Sequence, residues 1–193
     1  MELSRQLQIL DQDFRWTDAA PGVSLPELRA SLQPDETILE YYVSGDTVMV
    51  FVIDGGQIRL AECGRLHQVK DALADLQFQM GKFQYGPDYA ARHQENLLRS
   101  ANLCLYRLYE ALIAPIARGL EGRRLIIVPF EALHSVPFHA LFDGRSYVVD
   151  AHEVSYAPSS RMHLMCCRKQ APSGSRMTLL GVPDELAPHI GEE

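Results

Sequence analysis

Four consecutive apolar residues, Leu125-Ile126-Ile127-Val128, stand between the charged pair Arg123-Arg124 and Pro129. A short run without polar alternation is how a strand buried on both faces reads, so helices must cover the sheet it belongs to. Pro129 then removes a ladder donor and stops the strand. From Phe130 to Gly144 the chain reads as an apolar loop, punctuated by Pro137 and closed by the Asp143-Gly144 turn signal. Tyr147-Val148-Val149-Asp150 and Glu153-Val154-Ser155-Tyr156 are predicted as two short strands on their β-branched content, and Ala157-Pro158-Ser159-Ser160 opens a helix with Ser159 or Ser160 as N-cap.

The segment ahead of this strand is predicted in three parts. Leu3, Leu7, Leu10 and Phe14 share one face of a short N-terminal helix, and residues 16–23 read as a linker. Ser24-Leu25-Pro26-Glu27 makes a capping box that starts a brief helix, ended by Gln33-Pro34-Asp35-Glu36. From Ile38 the period becomes that of strands. Ile38–Val43, Val48–Ile53 and Gln57–Ala61 are separated by Ser44-Gly45-Asp46 and Asp54-Gly55-Gly56, which gives an antiparallel three-strand meander. Its middle strand is apolar throughout and is expected to be covered on both faces.

Leu66, Val69, Leu73, Leu76, Met80 and Phe83 then recur at intervals of three and four, a stripe along one helix. Gly86-Pro87-Asp88 breaks it, and a second helix from Tyr89 is expected to place Leu98, Ala101, Leu105, Leu108 and Leu112 on one face before Pro115. The pair should pack as an antiparallel hairpin. After the Ser159 helix come a loop at Ala171–Ser175, a buried strand at Thr178–Val182 and a turn at Pro183-Asp184. The fold class is therefore α/β with a mixed α+β start: meander at 38–63, helical hairpin at 66–119, and the first strands of a mostly parallel sheet from 124 onward.

A formal charge of −7 over 193 residues argues against nucleic acid as a partner, since phosphate binding rests on clustered Lys and Arg. No apolar run is long enough to span a bilayer, and Met1–Asp11 carries acids where a signal peptide would be basic. Cys63, Cys104, Cys166 and Cys167 lack the spacing of a disulfide framework or a CxxC site, so reduced thiols in a cytoplasmic protein are expected.

The run RLIIVPFEALHSVPFHALFDGRSYVVDAHEVSYAPSS, Arg124 to Ser160, resembles the opening of a CHAT domain, a caspase-like module related to separase and often attached to TPR or other repeat arrays in bacteria. The resemblance reaches back through Ile38–Cys63 and forward to Leu179–Asp184. It divides the chain into an arm and linker at 1–33 and an N-terminal portion of the CHAT-like domain at 34–193. It also implies a cysteine peptidase whose His and Cys stand at the ends of two parallel strands, the His followed by Gly and the Cys preceded by Ala, with imidazole activating the thiolate.

Neither pattern occurs. His67, His93, His134, His139, His152, His163 and His189 are followed by Gln, Gln, Ser, Ala, Glu, Leu and Ile, and the four cysteines by no preceding Ala. In the family's order the dyad strands follow the one at Thr178–Val182 and would lie beyond Glu193, so the chain is expected to be truncated and inactive alone. No catalytic, cofactor-binding or metal-binding residue is assigned.

The remaining histidines, cysteines and carboxylates suggest no other chemistry. His134 and His139 read as loop histidines that bond backbone, the rival being an unrelated hydrolase that uses one of them. Cys166 and Cys167 point about 100° apart on a helix and cannot act as one pair. His163-x-x-Cys166 has metal-ligand spacing but supplies two ligands of a needed four. Asp143, Asp150, Asp184 and Glu185 read as turn formers and solvated charges. The expected partners are protein: a TPR-like repeat region, or a peptide substrate of the full-length protein. A non-catalytic module that docks a repeat protein or another subunit is the alternative function.

Overall fold

The computed structural model describes residues 24–120 and 124–168. The expectations at Leu3–Phe14, Ala171–Ser175, Thr178–Val182 and Pro183-Asp184 lie outside the described residues.

Helix α1, Leu25–Ser31, starts at the capping box: Ser24 Oγ accepts from the Glu27 N–H, and the Glu27 carboxylate accepts from the Ser24 N–H. Strands β1 (Glu36–Ser44), β2 (Thr47–Ile53) and β3 (Ile58–Arg65) then form the meander. Both turns carry the chemistry that the sequence promised. Gly45 takes a φ of 62°, and Asp54 Oδ1 accepts from the N–H groups of Gly56 and Gln57, each at 2.7 Å.

The other edge of β1 pairs in parallel with β4, Arg124–Val128, which pairs in parallel with β5, Glu153–Tyr156. The result is one mixed five-stranded sheet in the order β3-β2-β1-β4-β5. Side chains alternate between its faces. On one face Leu39, Tyr41, Val50, Leu125 and Ile127 pack under helices α2 (Leu66–Gly81) and α3 (Pro87–Leu112), through Val69, Leu76, Leu105, Leu108 and Leu112. On the other, Ile38, Ile53, Ile126 and Val128 pack with Leu28 of α1 and Leu164 of the last described helix, α5, Ser160–Arg168. The architecture is α/β, with helices on both faces.

Three expectations need correction. The doubly covered strand is β4, not β2: the second faces of β1 and β2 bury Ile38 and Ile53 but leave Tyr42 and Phe51 exposed, because α1 and α5 reach only one end of the sheet. On α3 the buried stripe runs through Leu97, Cys104, Leu105, Leu108 and Leu112, and Leu98, about 100° round the axis from Leu97, faces solvent. The helix spans 26 residues, about 39 Å, against about 30 Å for the nine residues of β1. Its first turns therefore overhang the sheet, and Met80 and Phe83, expected in the α2 stripe, are exposed on the same overhang.

Tyr147–Asp150 is the third. It forms no strand: after an isolated Phe142–Tyr147 bridge the chain turns into the short helix α4, Val148–Ala151. The Asp150 carboxylate accepts from the Tyr147 N–H at 2.8 Å, and this cap overrides the β preference of Val148 and Val149. At α5 the cap is Ser159, whose Oγ accepts from the Met162 N–H at 3.1 Å.

Candidate functional site

Strands β1, β4 and β5 run in one direction, so their carboxyl ends meet along one edge of the sheet, where open α/β sheets carry their chemistry. The loop after β4 folds over that edge. It buries Leu133, Val136, Phe138 and Leu141 and exposes His134 and His139, with short 3-10 turns at Glu131–Ser135 and Phe138–Ala140. Phe138 is its anchor, fully buried 5.0 Å from the Tyr41 ring and 6.4 Å from the Tyr156 ring.

The Tyr156 hydroxyl, at the end of β5, accepts from the main-chain N–H of His139 at 3.3 Å and lies 3.0 Å from His139 Nδ1. The hydroxyl can both donate and accept, so it pairs with Nδ1 in either tautomer of the ring. Partial burial raises the Tyr156 phenol above its ordinary value. At the end of β1, Tyr42 tilts against Phe130 with ring centroids 5.3 Å apart. Glu131 follows at a φ of 47°, in the left-handed region. The edge thus presents exposed aromatics, one oriented imidazole and a strained acidic residue.

The sequence flagged His139 but not its partner. Tyr156 is 17 residues away on another element, and only the parallel pairing of β4 with β5 brings the two together. Nor did it flag Glu131, since no residue type there signals a positive φ.

All four cysteines are described, and none ends a parallel strand. Cys63 lies on β3, where burial pushes its thiol up to about 12 and its Sγ–H points at the Leu112 carbonyl, 3.7 Å away. Cys104 is buried on α3, and burial raises it as well. Cys166 and Cys167 are exposed on α5. His163 meets Cys167, not the Cys166 of the sequence spacing, with Nε2 and Sγ 3.5 Å apart. Burial, then the Glu36 carboxylate and Cys166, raise the Cys167 thiol, the opposite of what an activated nucleophile needs. Among the described residues no three potential ligands cluster to hold a metal, and no helix is long and apolar enough to cross a membrane.

The carboxylates at the turns hold main chain. Asp143 accepts from the N–H groups of Arg145 and Ser146, each at 2.7 Å, which lowers its carboxyl, and Asp150 caps α4. Asp184, Glu185 and His189 lie outside the described residues.

Residues 103–190 match the family model of the CHAT domain. That segment is similar to the CHAT domain. The match begins within α3 and takes in β4, the loop over the sheet edge, β5 and α5. Strands β1–β3 precede it but are hydrogen-bonded into the same sheet through the β1–β4 pairing. The family is related to the caspase-like peptidases. No curated protein matches the chain.

Proposed function

We propose that residues 1–193 supply the supporting part of a CHAT-domain cysteine peptidase, lack its catalytic pair and have no peptidase activity alone. The observation behind this reading is the position of the sulfurs. Cys63 is half-buried on β3 and Cys104 buried on α3, each with its thiol raised by burial, two lie on the surface of α5, and none is bonded to His134 or His139 at the edge where β1, β4 and β5 end. A peptidase of this class needs a thiolate poised at a strand end beside an imidazole. In the family's order both groups belong to later strands. Free thiols also fit a reducing, cytoplasmic setting.

The test is incubation of the 193-residue protein with fluorogenic peptides of basic, acidic and apolar sequence, and with an electrophilic thiol-protease probe. No turnover is expected. Turnover abolished by Cys167→Ala or by His139→Ala would overturn the reading.

A second reading, a docking module for a TPR-like repeat region or another subunit, is favoured by the overhanging hairpin. Met80, Phe83, Leu97 and Leu98 line an apolar groove of about 430 Å³ there, and Phe78 and Tyr85 are exposed beside it. Calorimetric titration with a TPR segment should show binding that Met80→Asp with Phe83→Asp removes while the far-UV spectrum is kept. Binding unchanged by the double variant would count against the groove.

A further inference from the structure

We propose that His163 and Cys167 are one half of a zinc site, completed by the same pair from a second copy of the chain. The two residues are four apart on α5, so their side chains stack one turn above the other. Zinc binds imidazole nitrogen at about 2.0–2.1 Å and thiolate sulfur at about 2.3 Å, and a tetrahedral angle between two such bonds sets nitrogen and sulfur about 3.6 Å apart. The observed separation is 3.5 Å. A thiol proton donated to the imidazole gives a similar length, and zinc binding would displace that proton to solvent.

The helix that carries the pair is fixed. Leu164 is buried between sheet and α1, Ser160 Oγ donates to Glu40 at 2.7 Å, and Arg168 pairs with Glu27 at 3.6 Å. Cys167 is solvent-facing. Two ligands alone make a weak site. A two-fold axis past α5 would bring together two imidazoles and two thiolates, the Cys₂His₂ set of closed tetrahedral zinc sites, through an isologous contact.

The experiment uses the whole chain in a non-chelating phosphine reductant, titrated with zinc chloride while mass is followed by light scattering and metal by a chromogenic competitor. The expected result is a doubling of mass with about one zinc per two chains. Cobalt in place of zinc should give the ligand-field bands of tetrahedral thiolate coordination. Cys167→Ser and His163→Asn, both conservative changes on one helix surface, should each abolish the zinc-induced dimer, whereas Cys166→Ser should keep it. No zinc uptake, uptake of one zinc per monomer without a change in mass, or a dimer that survives Cys167→Ser would each overturn the proposal.

Discussion

The hydroxyl of Tyr41 donates a 3.0 Å hydrogen bond to the main-chain carbonyl of Leu112, which ties the central strand of the sheet to the last turn of α3. That carbonyl is one of the four that a helix leaves without an internal partner, and it is buried where water cannot satisfy it. The Cys63 thiol, at 3.7 Å, is a weaker second donor. Tyr41→Phe should therefore destabilise the fold by about 1–2 kcal/mol, the cost of a buried acceptor losing its better partner. Urea unfolding of the two proteins measures it. An unchanged midpoint would mean that the bond contributes nothing beyond the packing of the ring.

Cys63 sets a pH dependence. Burial holds its thiol at about 12 in the folded protein, while an unfolded thiol ionises near about 8.5. A group whose folded value is raised favours the folded state below the unfolded value, and that contribution is lost as pH rises toward the folded value. Stability should therefore fall between roughly pH 9 and 12, by up to about 1.4 kcal/mol per pH unit for this one proton. The buried Tyr41 phenol, also raised, adds to the fall above about pH 10. Cys63→Ala will lower stability at neutral pH through lost packing, yet its curve should be flatter in this window. Parallel slopes for the two proteins would show that Cys63 does not carry the effect.

Much of this fold could be read from residue order because the signals were local. The Ser24 capping box, the Asp54 turn, the apolar run at Leu125 and the Ser159 cap are each complete within a few residues, and each forms the element expected of it. Misreadings arose where distant chain decides. Whether β2 is covered on its second face depends on how far α1 and α5 extend over the sheet, and which of Leu97 and Leu98 is buried depends on how α3 is rotated on it. The candidate site follows the same rule. His139 stood out as a residue type, but its orientation comes from Tyr156 on a neighbouring strand. The His163–Cys167 contact shares helical spacing with the rejected Cys166 pairing, and the local wind of α5 chose between them.

Gly64 has no room for a side chain. A Cβ there would lie 2.8 Å from Ala111 Cβ and 3.0 Å from its Cα, so part of the obstruction is main chain of α3. The glycine lets β3 approach the helix that also receives the Tyr41 bond. Gly64→Ala should cost about 1–3 kcal/mol, the range for overpacking a well-filled contact, although alanine suits a strand better than glycine does. Combining it with Ala111→Gly should recover part of the loss, since the Ala111 Cβ is the closest obstacle. Thermal denaturation of the three variants decides this. A Gly64→Ala protein as stable as the parent would mean that α3 moves away from β3 without penalty.

Glu131 stores strain at the sheet edge. Its φ of 47° puts its Cβ against its own backbone, which costs a residue other than glycine roughly 1–2 kcal/mol, and its side chain is exposed with no packing to offset that. The conformation turns the chain sharply after Phe130, whose ring rests against Tyr42, and starts the 3-10 turn that leads to buried Leu133. Glu131→Gly removes the strain but makes the unfolded chain more flexible, by about 0.4–1 kcal/mol, so the net change should lie between neutral and about 1.6 kcal/mol stabilising. Glu131→Val, β-branched and poorly suited to the same backbone, should destabilise. Chemical denaturation of the glycine, valine and parent proteins gives the order. If glycine proved less stable than glutamate by more than about 1 kcal/mol, the positive φ would not be a strain that the folded chain bears, since the flexibility term alone is no larger than that.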